Sequence, residues 1–402
     1  MRTGRAAALL ATVLFLFPQM LAAQSPEPAG GKMAAALQPF VDGHSIAGAV
    51  VLVASKDKVL DVETVGYSDL AGQKPMKADD LFWIASMSKP MAATALMMLV
   101  DEGKVNVDDS VEKYLPEFQG QMVAVERDAD HMLLQKPVHP ILVRNVLSHT
   151  SGLPFLSRVI HHIDQYPLSE AVVTYAMSPL NFQPDSKYQY ANAGIDTAGR
   201  IVEVVSGMPY EQFLAKRLFE PLGMKDTTFF PGEEQLARLA KAYKLNKDQS
   251  ALVELPIEQL SYPLTRHDRY PSPAGGLFST AADCGRFCQM ILNGGTFEGR
   301  KYLSEAAVRQ MTSTQDGDLQ NHGKGEGGYG FGFSTSAKAH GDSGTVPVAE
   351  CGHGGAYATN MTIDPQHGLV FIFMIQHAGP MPKEHNNPYA AFHKAAMEAF
   401  AK

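Results

Sequence analysis

Ser86-Met87-Ser88-Lys89 opens a stretch that predicts a helix running to about Glu102, with Gly103 at its C-cap. A step of three residues on a helix puts the Ser86 and Lys89 side chains on one face. The Lys89 amine can then accept the Ser86 proton, provided that burial lowers the pKa of the amine. Free N–H groups at the helix start would suit a developing oxyanion. A second Ser-x-x-Lys, at 55–58, falls at a predicted hairpin tip and lacks such a helix terminus.

Apolar strands flank this helix in the sequence. Residues 48–53 form a continuous β-branched run that predicts a buried strand, and 59–65 return as its hairpin partner. Near the carboxyl end, 357–363 and 369–375 predict a second hairpin. The predicted fold class is therefore α/β of the α+β type. One antiparallel sheet is assembled from both ends of the chain, with helices on its faces and a mostly helical subdomain inserted.

The amino-terminal segment has the features of a secretory signal. Arg2 and Arg5 precede an apolar run, 6–17, and small residues follow at 21–23. Cleavage after Ala23 predicts a periplasmic or secreted protein with no membrane span; the alternative is an uncleaved anchor. The predicted organisation is a signal peptide at 1–23, a linker at 24–31 and one globular domain at 32–402. Its sheet comes from about 32–107 and 272–402, and its helical subdomain from about 108–271.

Composition excludes several classes of protein. Of the 402 residues, 45% are hydrophobic and 19% are charged, which predicts a globular protein and excludes a disordered chain. The net charge of −8, without a basic stripe, argues against a nucleic-acid partner. Three cysteines are too few for a disulfide scaffold, and Cys284 and Cys288 are predicted to be buried thiols. The pair His161-His162 has no third ligand at a suitable spacing, so no metal site is predicted.

Tyr190-Ala191-Asn192 is the only Tyr-x-Asn in the chain. A phenol near an ammonium can titrate down and carry a proton to a leaving group. The Asn192 amide offers a donor and an acceptor to a substrate ester or amide. The alternative is a turn, because 189–194 resembles a loop before a helix predicted over 195–205.

His353-Gly354-Gly355 is the third short pattern. It is predicted to begin a strand, where glycine lets a ligand approach the backbone closely. The alternative is an ordinary loop histidine.

In this order the three patterns resemble the serine β-lactamase and penicillin-binding-protein-like hydrolases, and most of all the class C β-lactamase and esterase branch. Further similar stretches lie at 82–85, 147–153, 218–224, 274–280 and 329–333. The resemblance spans about 46–375 and implies a serine β-lactamase-like fold. It implies Ser86 as the nucleophile that forms an acyl-enzyme, Lys89 as its proton acceptor and Tyr190 as a general base or acid.

The resemblance also implies the residues around the substrate. Substrate-binding residues would be Asn192, His353 and Gly355, and the backbone N–H groups of Ser86 and Ala356 would form the oxyanion hole. No metal and no cofactor is implied.

One departure bears on the substrate. Penicillin-recognising members usually have Lys-Thr-Gly or Lys-Ser-Gly where this chain has His353, which is mostly neutral near pH 7. This favours a carboxylesterase acting on an uncharged ester or amide. A D-Ala carboxypeptidase or D-amino-acid peptidase, a weak β-lactamase, and a non-catalytic peptidoglycan- or partner-binding module stay open. Expected partners are small esters, amides or β-lactams, and cell-wall peptides.

Overall fold

The computed structural model describes residues 31–266, 268–317, 319, 327–337, 348–380 and 387–401. The predicted signal peptide and all of the predicted linker except Gly31 lie outside these residues, so both stay predictions. Within the described ranges, no helix combines the length and the apolar character that crossing a bilayer requires.

An eight-stranded antiparallel sheet joins the two ends of the chain. Its strands are β1 (Gly48–Ser55), β2 (Val59–Asp69), β3 (Lys74–Pro75), β12 (Gly328–Tyr329), β13 (Ser334–Ala337), β14 (Val348–Gly354), β15 (Asn360–Asp364) and β16 (Leu369–Met374). Their order across the sheet is β12-β13-β14-β15-β16-β1-β2-β3. The amino-terminal and carboxyl-terminal strands meet where β1 pairs with β16, with Val51 opposite Phe373. The predicted antiparallel sheet of amino- and carboxyl-terminal strands is therefore confirmed.

Helices cover both faces of this sheet. The helices of the described residues are α1 (Lys32–Asp42), α2 (Ser88–Asp101), α3 (Val143–Ser148), α4 (Leu168–Ala176), α5 (Asn192–Ser206), α6 (Tyr210–Leu214), α7 (Glu220–Leu222), α8 (Glu233–Ala237), α9 (Ala281–Leu292), α10 (Glu305–Thr312) and α11 (Pro388–Phe400). On one face of the sheet lie α1 and α11, and on the other lie α2 and α9. Strand β1 alternates between two cores: Val51 and Val53 face the cluster with α1 and α11, whereas Val50 and Leu52 face the larger cluster with α2 and α9. Burial on both faces explains why its sequence is continuously apolar.

The middle of the chain, predicted to be mostly helical, contains among its described residues two short hairpins as well as helices. The remaining strands are short: β4 (Phe82–Trp83), β5 (Val123–Arg127), β6 (Met132–Gln135), β7 (Ala242–Leu245), β8 (Leu252–Leu255), β9 (Phe278–Ser279), β10 (Thr296–Phe297) and β11 (Arg300–Lys301). Strand β5 pairs with β6 and β7 with β8, all antiparallel. These hairpins are short and largely exposed, so their sequences lack the apolar runs that identify the main sheet.

Helix α2 lies inside the larger core. From Leu81 to Leu99 every residue is buried except Ser86, which is half-buried. A helix that is apolar all round is a core helix, and this one exposes a single position at its amino-terminal end. The fold thus presents one hydroxyl group at the end of a buried, rigid element.

Candidate active site

Ser86 lies in a tight turn rather than in the regular helix. A short 3-10 helix, Ala85–Met87, precedes α2, and Ala85 has a left-handed φ of 45°. A non-glycine residue with positive φ is costly and needs support from its surroundings. The Ser88 hydroxyl supplies it by donating to the Ala85 carbonyl at 2.6 Å, while Ser88 Oγ accepts from Leu277 N at 3.2 Å. The second serine of the motif therefore holds the turn that presents the first.

The stretch 274–279 fixes this turn from the other side. Strand β4, just before the turn, pairs with β9, and Ile84 N donates to the Leu277 carbonyl at 3.0 Å. The Trp83 indole donates to the Gly275 carbonyl at 2.8 Å. The similarity to the hydrolase family at 274–280 thus marks the segment that holds the Ser86 turn in place.

Lys89 is fully buried and its Nζ atom lies against three oxygens. The distances are 3.0 Å to Ser86 Oγ, 2.9 Å to Asn192 Oδ1 and 2.7 Å to the Ala274 carbonyl. Burial lowers the pKa of Lys89 to about 7, and the Asp196 carboxylate opposes that shift. A neutral amine has two N–H groups, and the two carbonyl oxygens can only accept, so its lone pair faces Ser86 Oγ. This arrangement suits proton transfer from the serine to the lysine.

Tyr190 completes the group around Ser86, with the Lys89 ammonium 4.7 Å from the centre of its ring. The prediction that the phenol titrates down is wrong. Burial raises the pKa of Tyr190, and a hydrogen bond with Ser86 only partly opposes this. The cation lies over the ring face, and the phenol stays protonated near neutral pH. Tyr190 is therefore suited to donate a hydrogen bond or a proton.

Asn192 is the first residue of α5, and the turn considered for 189–194 gives way to a helix that starts three residues earlier than predicted. Gly194 suggested a loop, but a Cβ there would lie 2.8 Å from the Val146 carbonyl. The glycine is needed for close packing of α5 on α3. Asn192 is buried and accepts from Lys89, so the structure places it as a partner of the lysine. A contact between Asn192 and substrate stays a prediction.

His149 is a residue of the site that the sequence reasoning missed. Its backbone carbonyl accepts from Gln189 N at 2.9 Å, and its Nδ1 accepts from Ala191 N at 3.2 Å. Its ring also lies 4.5 Å from the Tyr190 ring. His149 thus fixes the backbone on both sides of Tyr190. The only signal in the sequence was its place within 147–153, one of the stretches that carry the family resemblance.

His353 lies at the end of β14, not at the start of a strand as predicted. Its Nδ1 is 2.7 Å from the Gly354 carbonyl, which can only accept, so Nδ1 carries the proton. Its Nε2 then accepts from the Tyr329 hydroxyl at 3.0 Å. Burial lowers the pKa of His353 to about 3, and the nearby Lys89 charge adds to the shift. The pair is neutral across the physiological range.

Gly355 and Ala356 follow in the turn between β14 and β15, beyond the strand in which Ala356 was predicted. A Cβ on Gly355 would lie 2.6 Å from the Ile84 carbonyl, two residues before Ser86. Glycine is therefore required because this turn packs against the backbone of the Ser86 turn. Within the part of the chain that the structure describes, neither Ser86 N nor Ala356 N donates to a backbone or side-chain acceptor. Both N–H groups are therefore free to bind an oxyanion, and that role stays a prediction.

The predicted buried thiols are confirmed. Cys284, Cys288 and Cys351 are free and buried, and the first two lie on α9. Among the residues described, no cluster of three His, Cys, Asp or Glu side chains is arranged to hold a metal ion, and His161-His162 belongs to none.

Comparison with known proteins identifies the family. The sequence profile of the Beta-lactamase family matches residues 33–396. The chain belongs to this family. The resemblance inferred from the three motifs is thereby confirmed, and with it the general class of serine hydrolase.

Two known proteins with similar sequences are an uncharacterized protein and an esterase. An uncharacterized protein of Mycobacterium tuberculosis is 33% identical over 368 residues, which are 85% of this chain and 89% of the relative. Esterase EstB of Burkholderia gladioli is 28% identical over 272 residues, 61% of this chain and 66% of the relative.

A solved structure confirms the fold. EstCE1, described as a hydrolase with promiscuous acyltransferase activity, superposes with a TM-score of 0.72 over 90% of this chain and 97% of its own. At 22% identity this similarity shows the fold alone. The predicted β-lactamase-like fold class is confirmed.

Proposed function

We propose that this β-lactamase-family protein is a carboxylesterase that hydrolyses uncharged short-chain esters through an acyl-enzyme on Ser86. The observation that supports a serine hydrolase is the contact of Lys89 Nζ with Ser86 Oγ at 3.0 Å inside the core. With a pKa of about 7, a substantial fraction of the Lys89 amine is neutral at physiological pH and can act as the base.

In the proposed reaction, Ser86 Oγ attacks the ester carbonyl while its proton passes to the Lys89 amine. The oxyanion is held by the N–H groups of Ser86 and Ala356, each of which is typically worth about 3 kcal/mol of the barrier. The ester C–O bond then breaks, and the alkoxide leaves with a proton that Lys89 returns through the Tyr190 hydroxyl. Water attacks the acyl-enzyme by the same route, which releases the acid and restores Ser86.

The neutral pair of His353 and Tyr329 supports an uncharged substrate. A substrate carboxylate placed beside His353 and Tyr329 would lose its hydration without gaining a cationic partner, which costs several kcal/mol. An ester with alkyl or aryl groups on both sides has no such cost. The same argument disfavours β-lactams and peptides that end in a free D-Ala carboxylate.

The test compares substrate classes on one enzyme. Purified wild-type protein should release p-nitrophenol from acetyl and butyryl esters much faster than it opens a chromogenic cephalosporin or frees alanine from a D-Ala-terminated peptide. Ser86→Ala should abolish ester turnover and the acyl adduct seen by intact-mass spectrometry. His353→Lys should lower the ratio of ester to cephalosporin turnover, because it places a cation where the substrate carboxylate would lie.

Other outcomes point to the alternatives. Faster release of alanine than of p-nitrophenol would favour a D-amino-acid peptidase, and faster cephalosporin opening a β-lactamase. No adduct with any of these reagents or with a fluorophosphonate would favour a binding module and contradict the proposal.

A further inference from the structure

Asp196 lies four residues after Asn192 on α5 and is completely buried. Residues four apart share one face of a helix, so Asp196 faces the same region as Asn192, one turn deeper. The helix predicted over 195–205 placed Asn192 in a loop, which hid this spacing.

The carboxylate of Asp196 is fully hydrogen-bonded. Its Oδ1 accepts from Ala274 N at 3.1 Å and from the Ser272 hydroxyl at 3.3 Å, and its Oδ2 accepts from the Tyr175 hydroxyl at 3.0 Å. One of these donors, Ala274, belongs to the segment 274–279 that fixes the Ser86 turn, and Ser272 lies just before that segment.

Ala274 connects Asp196 to Lys89. Its N–H donates to the carboxylate, and its own carbonyl accepts from Lys89 Nζ at 2.7 Å. Through α5, Asp196 also anchors the helix that carries Asn192, the other carbonyl partner of the lysine. Two of the three oxygens around Lys89 Nζ therefore depend on Asp196 for their position.

We propose that Asp196 is a positioning residue that orients the Lys89 amine through Ala274 and Asn192 and sets the pH at which that amine becomes a base. The proposal rests on the proposed function, in which neutral Lys89 accepts the Ser86 proton. Asp196 itself contacts neither Ser86 nor the substrate site.

The other ionisable groups around Lys89 and Asp196 are neutral near pH 7, so Asp196 is the anion that acts on the lysine. Burial raises the pKa of Tyr190, Tyr175, Tyr210 and Tyr270 and lowers that of His149 and His353, so near pH 7 these six groups are neutral. Burial also raises the pKa of Asp196 to about 6, while Lys89 and three hydrogen bonds favour its ionised form. The negative charge favours the ammonium form of Lys89, so removing it should let the amine lose its proton at lower pH.

The test is the pH dependence of Ser86 acylation by a fluorophosphonate, followed by intact-mass spectrometry on the full chain, alongside kcat/KM for p-nitrophenyl butyrate. Asp196→Asn keeps the size of the side chain and one acceptor oxygen for Ala274 N. Acylation should fall off on the acidic side of its pH profile, and we call this part of the profile the acid limb. We expect the midpoint of the acid limb to move to lower pH by about one unit in Asp196→Asn. The wild-type limb reports the coupled pair, and the variant reports Lys89 alone.

Asp283→Asn is the matched control. Asp283 is a buried aspartate at the start of α9 that accepts from Asp226 N and Thr227 Oγ1, and it lies outside the contacts of Lys89. This variant should leave the acid limb where it is, even if it lowers thermal stability. Asp196→Ala removes the acceptor as well as the charge and should lower the labelling rate at every pH.

The outcomes are distinguishable. Labelling with the same acid limb in the wild type and in Asp196→Asn overturns this inference alone, and so does an equal shift in Asp283→Asn. No labelling of the wild type overturns the proposed function and this inference together. Labelling with a shifted limb but no ester turnover supports this inference and contradicts the carboxylesterase.

Discussion

Two buried cations in this protein are each matched with a buried aspartate, but in different ways. Arg269 donates directly to Asp164, with Nε 2.6 Å from Oδ2, and both side chains are almost completely buried. Lys89 does not contact Asp196: the backbone of Ala274 lies between them, with its carbonyl accepting from Lys89 and its N–H donating to Asp196.

The difference separates a structural pair from a reactive one. Arginine does not serve as a base in proteins, and the direct contact of Arg269 with Asp164 joins the loop before α4 to the segment that carries Arg269. The lysine has a pKa of about 7 because its counter-charge acts at a distance while burial acts fully. Because the backbone of Ala274 separates the two charged groups, the buried lysine can exist both as an ammonium ion and as a neutral amine.

The largest expected effect comes from making the Lys89 cation permanent. Lys89→Arg places a group at this position that cannot act as a base. We expect kcat/KM for p-nitrophenyl butyrate to fall by about 10³-fold, with no recovery at alkaline pH. Far-ultraviolet circular dichroism would establish that the variant folds, and Lys89→Met should show a similar loss. Activity that returns as the pH is raised would contradict a role for Lys89 as the base.

The fold was predictable because its two central strands, β1 and β16, are buried on both faces. Residues 48–53 form an unbroken apolar run, and β1 in the structure extends it only to Ser55. The strand predicted over 357–363 was less accurate. Gly355 N donates to the Thr359 carbonyl and Ala358 has a φ of 63°, so these residues form a turn and β15 begins at Asn360. A turn closed by backbone hydrogen bonds leaves little trace in the sequence.

The candidate site was predictable only where residues are close in sequence. The three-residue step from Ser86 to Lys89 follows from helix geometry, and the two side chains do meet. His149 and Asp196 act through backbone groups at 189–191 and at Ala274, far from them in sequence. No periodic pattern links such positions. Gly194 was interpreted as part of a loop, but the glycine is there because α5 packs closely on α3.

A smaller effect is expected from breaking the direct pair. Asp164→Asn leaves the Arg269 charge buried without its carboxylate, and we expect the free energy of unfolding to fall by about 3–5 kcal/mol. Urea unfolding followed by circular dichroism measures this. The acid limb of Ser86 acylation should stay in place, because the charge that acts on Lys89 is that of Asp196. The double variant Asp164→Leu/Arg269→Met should recover much of the lost stability. A single variant as stable as the wild type would refute the structural role of the pair.

The smallest effect is expected from a substitution that gives Lys89 a carboxylate in direct contact, in place of the distant charge of Asp196. Asn192 Oδ1 is 2.9 Å from Lys89 Nζ, so Asn192→Asp puts a carboxylate against the amine, as Asp164 lies against Arg269. An opposite charge in contact raises the pKa of a lysine by about one to two units. The acid limb should therefore move to higher pH, the reverse of the Asp196→Asn shift, and activity at pH 7 should fall by about 5- to 50-fold and recover as the pH is raised. Asn192→Ala removes the same hydrogen bond without adding charge, so its limb should not move upward. If both variants lose activity equally at every pH, Asn192 acts by holding the lysine in place, and the distance of the counter-charge is not what keeps Lys89 reactive.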